Sequence, residues 1–172
     1  MLAAEAVNKN REEGHDCELV AVDPYPVEIL KKRILGLSRL IEKGVQELDL
    51  SEFIRLKEND ILFIDSTHVV RIGGDVVYLY LEVLPRLNKG VLVHFHDIFL
   101  PLEYPKDWVL KQHRFWNEQY LLQAFLIFND CFEVVWAGSY MNLKHPDKFE
   151  ATFRSYRKGE TFPGSFWIRR IK

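Results

Sequence analysis

The 172-residue chain is expected to form an α/β fold: a mostly parallel sheet with helices on both faces and an antiparallel edge. Three observations carry that expectation. Residues 18–23 (ELVAVD), 61–65 (ILFID) and 91–97 (VLVHFHD) are short apolar runs, each ending on an aspartate. They are apolar throughout rather than alternating, as strands covered on both faces are. Helix-forming segments separate them, as parallel strands joined by crossovers require.

In chain order, residues 2–13 are good helix formers, and Gly14 marks their stop. Residues 18–23 form a buried strand that Pro24 ends. A helix is expected over 26–35, closing near Gly36, then a strand over 40–48 (LIEKGVQEL) weakened by Gly44. Ser51 caps a short helix through Leu56, and 61–65 is the next strand. After Gly73 and Gly74, residues 75–87 form a helix with Val76, Val77, Tyr80, Leu81 and Leu84 as its apolar stripe. The strand 91–97 leads into a long loop, 98–113, and then a strongly apolar helix over 115–128. Strands at 132–137 and 166–171 make the antiparallel edge, with a helix or irregular segment at 148–157 between them. One domain, residues 1–172, is expected.

Composition narrows the function classes. With 23 basic against 25 acidic residues, no charge excess calls for nucleic acid or an anionic membrane. No apolar run reaches the roughly 20 residues of a membrane-spanning helix, and the N-terminal residues lack the apolar run of a signal peptide. Cys17 and Cys131 fit no metal-ligand spacing and no disulfide framework, which favours a cytoplasmic setting.

In open parallel sheets, ligands sit beyond the carboxyl ends of the strands, which is where Asp23, Asp65 and Asp97 fall. Asp23 is either a ribose-binding acid or a turn acid before Pro24. The glycine fingerprint G-x-G-x-x-G is absent, and Gly73-Gly74 follows the wrong strand for it. Asp65-Ser66-Thr67-His68 and His94-Phe95-His96-Asp97 end strands that neighbour each other if the intervening crossover is right-handed. Asp65, His96 and Asp97 then converge as ligands suited to Mg2+, Mn2+ or Fe2+. His68 lies over the same pocket with a pKa suited to a general base. Helix capping by the acids and core packing by the histidines are the competing explanations. The loop 98–113 and Trp116-Asn117-Glu118-Gln119-Tyr120 form either an acceptor lid or a surface for a homo-oligomer.

The segments ELVAVDPYP, DILFIDSTH, GVLVHFHDIFLPLEYP and WNEQYLLQAFL resemble class I S-adenosylmethionine-dependent methyltransferases of the methyltransferase-24 type, across nearly the whole chain. The resemblance implies a Rossmann-like domain that methylates a hydroxyl of a small molecule or sugar, with S-adenosylmethionine as cofactor and a divalent metal such as Mg2+ assisting. It further implies Asp23 as the ribose acid, Asp65 and the His96-Asp97 pair as metal positions, and His68 as the catalytic base. His96 departs from the acid pair of metal-dependent relatives. The family's first strand and glycine-rich turn have no counterpart here, so the domain is expected to be N-terminally truncated. Two alternatives stay open: a non-catalytic interaction module, and a non-haem iron oxygenase built on His94, His96 and Asp65.

Overall fold

The computed structural model describes every residue except Met1 and Arg33. The chain divides into two compact units, Met1–Asp49 and Leu50–Lys172.

In the first unit, helix α1 (Leu2–Glu12) buries Ala4 and Val7. Strands β1 (Val20–Val22) and β2 (Arg39–Ile41) pair in parallel, connected through the short helix α2 (Glu28–Lys31). Arg11 ties the segments together, donating from Nη2 to the Cys17 carbonyl at 2.8 Å and to Ser38 Oγ at 3.1 Å. Gly36 has φ +97°, and a Cβ there would lie 2.3 Å from the Ala4 carbonyl oxygen. Only glycine permits that backbone so close to α1.

The expected strand over 40–48 is shorter. It ends at Ile41, and residues 45–47 turn as a 3-10 helix. Glu47 accounts for this, since its Oε1 accepts the Gly44 amide proton at 2.9 Å and folds the chain back before pairing can continue.

The second unit holds α3 (Ser51–Ile54), β3 (Ile61–Ile64), α4 (Asp75–Tyr78), β4 (Leu92–Phe95), α5 (Lys106–Leu110), α6 (Glu118–Leu126), β5 (Phe132–Ala137), α7 (Gly138–Lys144), α8 (Pro146–Thr152) and β6 (Phe166–Arg170). Its four strands run in the order β3-β4-β6-β5. β3 and β4 are parallel, whereas β6 is antiparallel to both β4 and β5. The expected antiparallel edge is therefore present, with the last strand inserted ahead of the one before it.

One sheet face carries Ile64, Val93, Phe95 and Ile168, all buried. Val76, Leu79, Tyr80, Val83 and Leu84 complete that core, and α6 joins it through Phe125, whose ring meets Tyr80 and Phe132. Each fully buried side chain of this size contributes about 1.5–3 kcal/mol. After α4 the helix widens into a π turn over Leu79–Val83 and closes as a 3-10 turn over Leu84–Arg86. Pro85 explains the change, because it has no amide proton to donate and its ring crowds the carbonyl one turn back. On the opposite face, Trp136 of β5 packs against Phe149 and Phe153 at the end of α8. Ile61 and Phe63 of β3 lie on that same face and stay 53% and 59% exposed. Helix α7, at residues left without a sequence expectation, starts where Gly138 packs against Pro163 and Ser165 carbonyls.

Candidate active site

Pairing of β3 with β4 sets Ile64 beside Phe95, and the His96 amide still donates to the Ile64 carbonyl at 2.9 Å. The residues just past both strands therefore meet. Asp65 Oδ1 lies 3.4 Å from His68 Nε2 and 3.5 Å from His96 Nδ1. His96 Nδ1 is also 3.4 Å from Asp97 Oδ2. Among the described residues, Asp65, His68 and His96 each bring one ligand atom within 4.8 Å of the others. Asp97 reaches the cluster through His96.

Two of these residues hold left-handed backbones, with φ +60° at His68 and +54° at Asp97. Non-glycine residues in that region cost on the order of 1–3 kcal/mol each. The surroundings hold both in place. The His68 carbonyl accepts the amide protons of Asn117 and Glu118 at 3.0 and 3.2 Å. Asn117 Oδ1 accepts the Val70 amide at 2.6 Å. The Asp75 carboxylate takes both the amide and the hydroxyl of Thr67, at 2.8 and 2.7 Å. Next to Asp97, its Cα would stand 3.0 Å from any Cβ added to Gly164.

Sequence reasoning set Glu118 in an acceptor lid or a surface patch and missed its contact with His68. The side chain is 1% exposed. Its Oε2 accepts from His68 Nδ1 at 2.8 Å and from Ser66 Oγ at 2.9 Å, and its Oε1 accepts from Tyr80 Oη at 3.1 Å. A carboxylate in that position holds the proton on Nδ1 and leaves Nε2 facing Asp65 and His96. A signal was present in the sequence: Glu118, Leu122 and Phe125 fall at i, i+4 and i+7, placing an acid in the apolar stripe of a helix.

Electrostatics follow from these contacts. Burial opposes charge on His68, but its pairing with Asp65 and its hydrogen bond to Glu118 outweigh burial and raise the pKa to about 9. The Asp65 carboxyl is lowered by His68 first, against burial, and by His96 after that. His96 is raised by its contact with Asp97. His94 goes the other way, lowered to about 4 by burial and then by the charge of His96.

His94 stands apart from the ligand cluster. Its ring stacks on Phe63 at 4.3 Å and packs against Trp167 at 4.7 Å, and Nε2 pairs with Ser165 Oγ at 3.0 Å. The two-histidine, one-carboxylate set in this structure is Asp65, His68 and His96, with His68 where the sequence suggested His94. Asp23 directly follows β1, in the first unit, and its Oδ1 accepts the Tyr25 amide proton at 2.8 Å.

Beside His68 stands an aromatic wall. The Trp116 ring lies 4.2 Å from the imidazole, and Trp108 and Tyr104 meet Trp116 edge-on at 5.3 and 6.2 Å. The expected long loop thus contains α5 and builds structure around the site. The helix expected from 115 begins at Glu118, because Asn117 is spent on Val70.

Residues 1–98 match the family model of a methyltransferase domain of the methyltransferase-24 type. The chain belongs to that family. It is an S-adenosylmethionine-dependent methyltransferase by that membership. The matched span includes Asp23, Asp65, His68, His96 and Asp97, while Glu118 lies beyond it. Among solved structures, the chain is similar to the plantazolicin methyltransferase BpumL in complex with triazolic desmethylPZN analog and SAH. The identity is 11% and the TM-score 0.51, over 95% of this chain and 70% of that one. At that identity the likeness shows the fold, a Rossmann-like methyltransferase. No curated protein matches the sequence. Among the described residues, no helix is long and apolar enough to cross a membrane.

Proposed function

We propose that this methyltransferase acts on the hydroxyl oxygen of a small molecule or sugar, at the cluster beyond β3 and β4. The observation that supports the reading is His68. Its Nδ1 is engaged by the buried Glu118, and its Nε2 is directed to Asp65 and His96. At neutral pH Nε2 holds a proton directed at Asp65; once His68 gives that proton up, Nε2 takes the proton of the acceptor hydroxyl, so transfer should rise toward pH 9. The oxygen forms a bond to the methyl carbon of S-adenosylmethionine as the carbon–sulfur bond breaks. The electron pair of that bond stays on sulfur, turning the sulfonium into the neutral thioether of S-adenosylhomocysteine. The proton then passes from His68 to water. Most of what the protein contributes is position.

Asp65 and His96 bring a carboxylate oxygen and an imidazole nitrogen within 4.8 Å of each other, donors that suit a divalent cation and leave His68 to act as base. Asp65 and His96 would hold it, with Asp97 beside His96. A cation there would lower the pKa of the acceptor hydroxyl and draw Asp65 away from His68. Asp23 is the proposed partner of the cofactor ribose, through the carboxylate oxygen that the Tyr25 amide does not occupy.

The test is His68→Ala. Methyl transfer should fall by about 10²–10⁴-fold, the range for a lost general base, while calorimetric binding of S-adenosylmethionine stays within about twofold of wild type. Equal loss of binding and transfer would overturn the role of His68 as base.

A second reading has one observation in its favour. Two imidazoles and a carboxylate are also the ligands of non-haem iron oxygenases. Iron-dependent oxygen consumption with no requirement for S-adenosylmethionine would select it, and family membership stands against it.

A further inference from the structure

We propose a second binding site, on the sheet face opposite the main core, that takes an uncharged planar aromatic molecule. It lies outside the cluster beyond β3 and β4 and does not depend on the methyl-transfer reading.

The hollow encloses about 510 Å³, within the range of small-molecule sites. The sheet contributes Trp136 and Trp167, register partners across β5 and β6. Phe149 of α8, with Phe153 and Tyr156 just after it, supplies the facing wall. Pro163 and Ser165 close one side. Between them, a Cβ on Gly164 would stand 3.0 Å from the Asp97 Cα. The strip 163–165 therefore separates the hollow from the cluster, and none of Asp65, His68, His96 and Asp97 lines it.

Contacts among the walls set their shape before any ligand arrives. Phe149 meets Phe153 at 4.5 Å and Tyr156 at 5.0 Å, and its ring lies 28° from the plane of Trp136. Trp167 is held by its indole N–H, which donates to Ser165 Oγ at 3.0 Å. With that donor spent, the indole has only its ring to offer.

The polar groups select the ligand. No charged side chain lines the hollow, so an ion of either sign would lose its hydration there without a counter-charge. Thr161 Oγ1 already accepts the Arg157 amide proton at 2.9 Å, and Ser165 Oγ is shared between Trp167 and His94. Ser155 stands at the exposed rim. Tyr156 differs from all of these. It is 6% exposed, yet among the described residues its hydroxyl has no hydrogen-bond partner. Its oxygen is still reachable, unlike the sealed and unpaired Nδ1 of His94. A buried phenol with an open hydroxyl can pair with one carbonyl or hydroxyl group of a ligand. The rest of that ligand meets aromatic rings, which favour planar partners beyond the area they cover. A sugar would strand its remaining hydroxyls.

Calorimetry on the full chain, with 2-naphthol, its saturated counterpart 2-decalol, 2-naphthoate and 2-naphthyltrimethylammonium as probes, tests the site. Naphthol should bind about 2–10-fold more tightly than decalol and at least about 10-fold more tightly than either ion. Tyr156→Phe should weaken naphthol binding by about 2–10-fold, the worth of one neutral hydrogen bond. Ser155→Trp, at an exposed position, should fill the hollow and abolish binding. Phe153→Ala, which removes a wall that is 39% exposed, should weaken it by about 3–10-fold. Circular dichroism confirms that each variant is folded. Absence of naphthol binding, binding that survives both Ser155→Trp and Phe153→Ala, or tighter binding of decalol or an ion would each overturn the inference. Unchanged affinity in Tyr156→Phe would overturn the part given to its hydroxyl.

Discussion

Replacing Glu118 tests the centre of the site through stability, independently of any substrate. The side chain is almost fully buried and accepts three hydrogen bonds, from Ser66, His68 and Tyr80. Glu118→Ala leaves all three donors without their acceptor. Each unsatisfied buried donor costs about 1–3 kcal/mol. The three share one partner, so their costs do not simply add. Loss of one member of a buried ion pair costs about 3–5 kcal/mol, and we expect the total to fall in that range. That is a large part of the roughly 5–15 kcal/mol that holds a domain together. At roughly 3–5 °C per kcal/mol for a unit of this size, the midpoint should drop by about 10–20 °C. Glu118→Gln keeps the shape and one carbonyl oxygen, and the Tyr80 hydroxyl can rotate to accept from the new amide. Its cost should be about 1–2 kcal/mol. Thermal and urea melts of the three proteins in chelator-containing buffer make the comparison. A Glu118→Ala protein within 1 kcal/mol of wild type would refute the view that this carboxylate organises the site.

Two further outcomes are expected. His94 has a folded pKa near 4, below its unfolded value of 6.5, so the unfolded chain binds the proton more readily. Its contribution to stability is present above pH 6.5 and is lost as pH falls from 6.5 toward 4, by about 3 kcal/mol. His94→Phe should lose less stability than wild type between pH 7 and 4.5, and parallel pH curves for the two proteins would remove this assignment. Asp23→Ala should weaken S-adenosylmethionine binding by about 10–100-fold, the worth of hydrogen bonds to a charged acceptor. Its circular dichroism should be unchanged, and unaltered affinity by calorimetry would take Asp23 out of the cofactor site.

How much was legible in the sequence differs by residue. Asp65, His68 and His96 were visible because apolar strands ending on polar residues mark a sheet's carboxyl edge, and one right-handed crossover makes two such edges neighbours. The partner of His68 was harder to see. Glu118 is fifty residues away in sequence, and only the tertiary packing of α6 delivers it. His94 and His68 could not be ranked as ligands from spacing. Alternation places His94 and His96 on one strand face, but the left-handed turn at His68 brings a residue beyond the strand back over the cluster. The strand expected through Leu48 failed for a local reason, since the Gly44 amide donates to the Glu47 carboxylate and that hydrogen bond competes with sheet pairing.

The open flank of β3 matters for handling the molecule in solution. Among the described residues nothing pairs with its outer edge, and Ile61 and Phe63 lie uncovered along it. A row of free amide and carbonyl groups next to apolar side chains is a template for another extended segment. The same strand that brings Asp65 to the site is therefore expected to favour self-association, which light scattering at rising concentration would detect. Neither charge nor proline interrupts Ile61–Ile64 to oppose it.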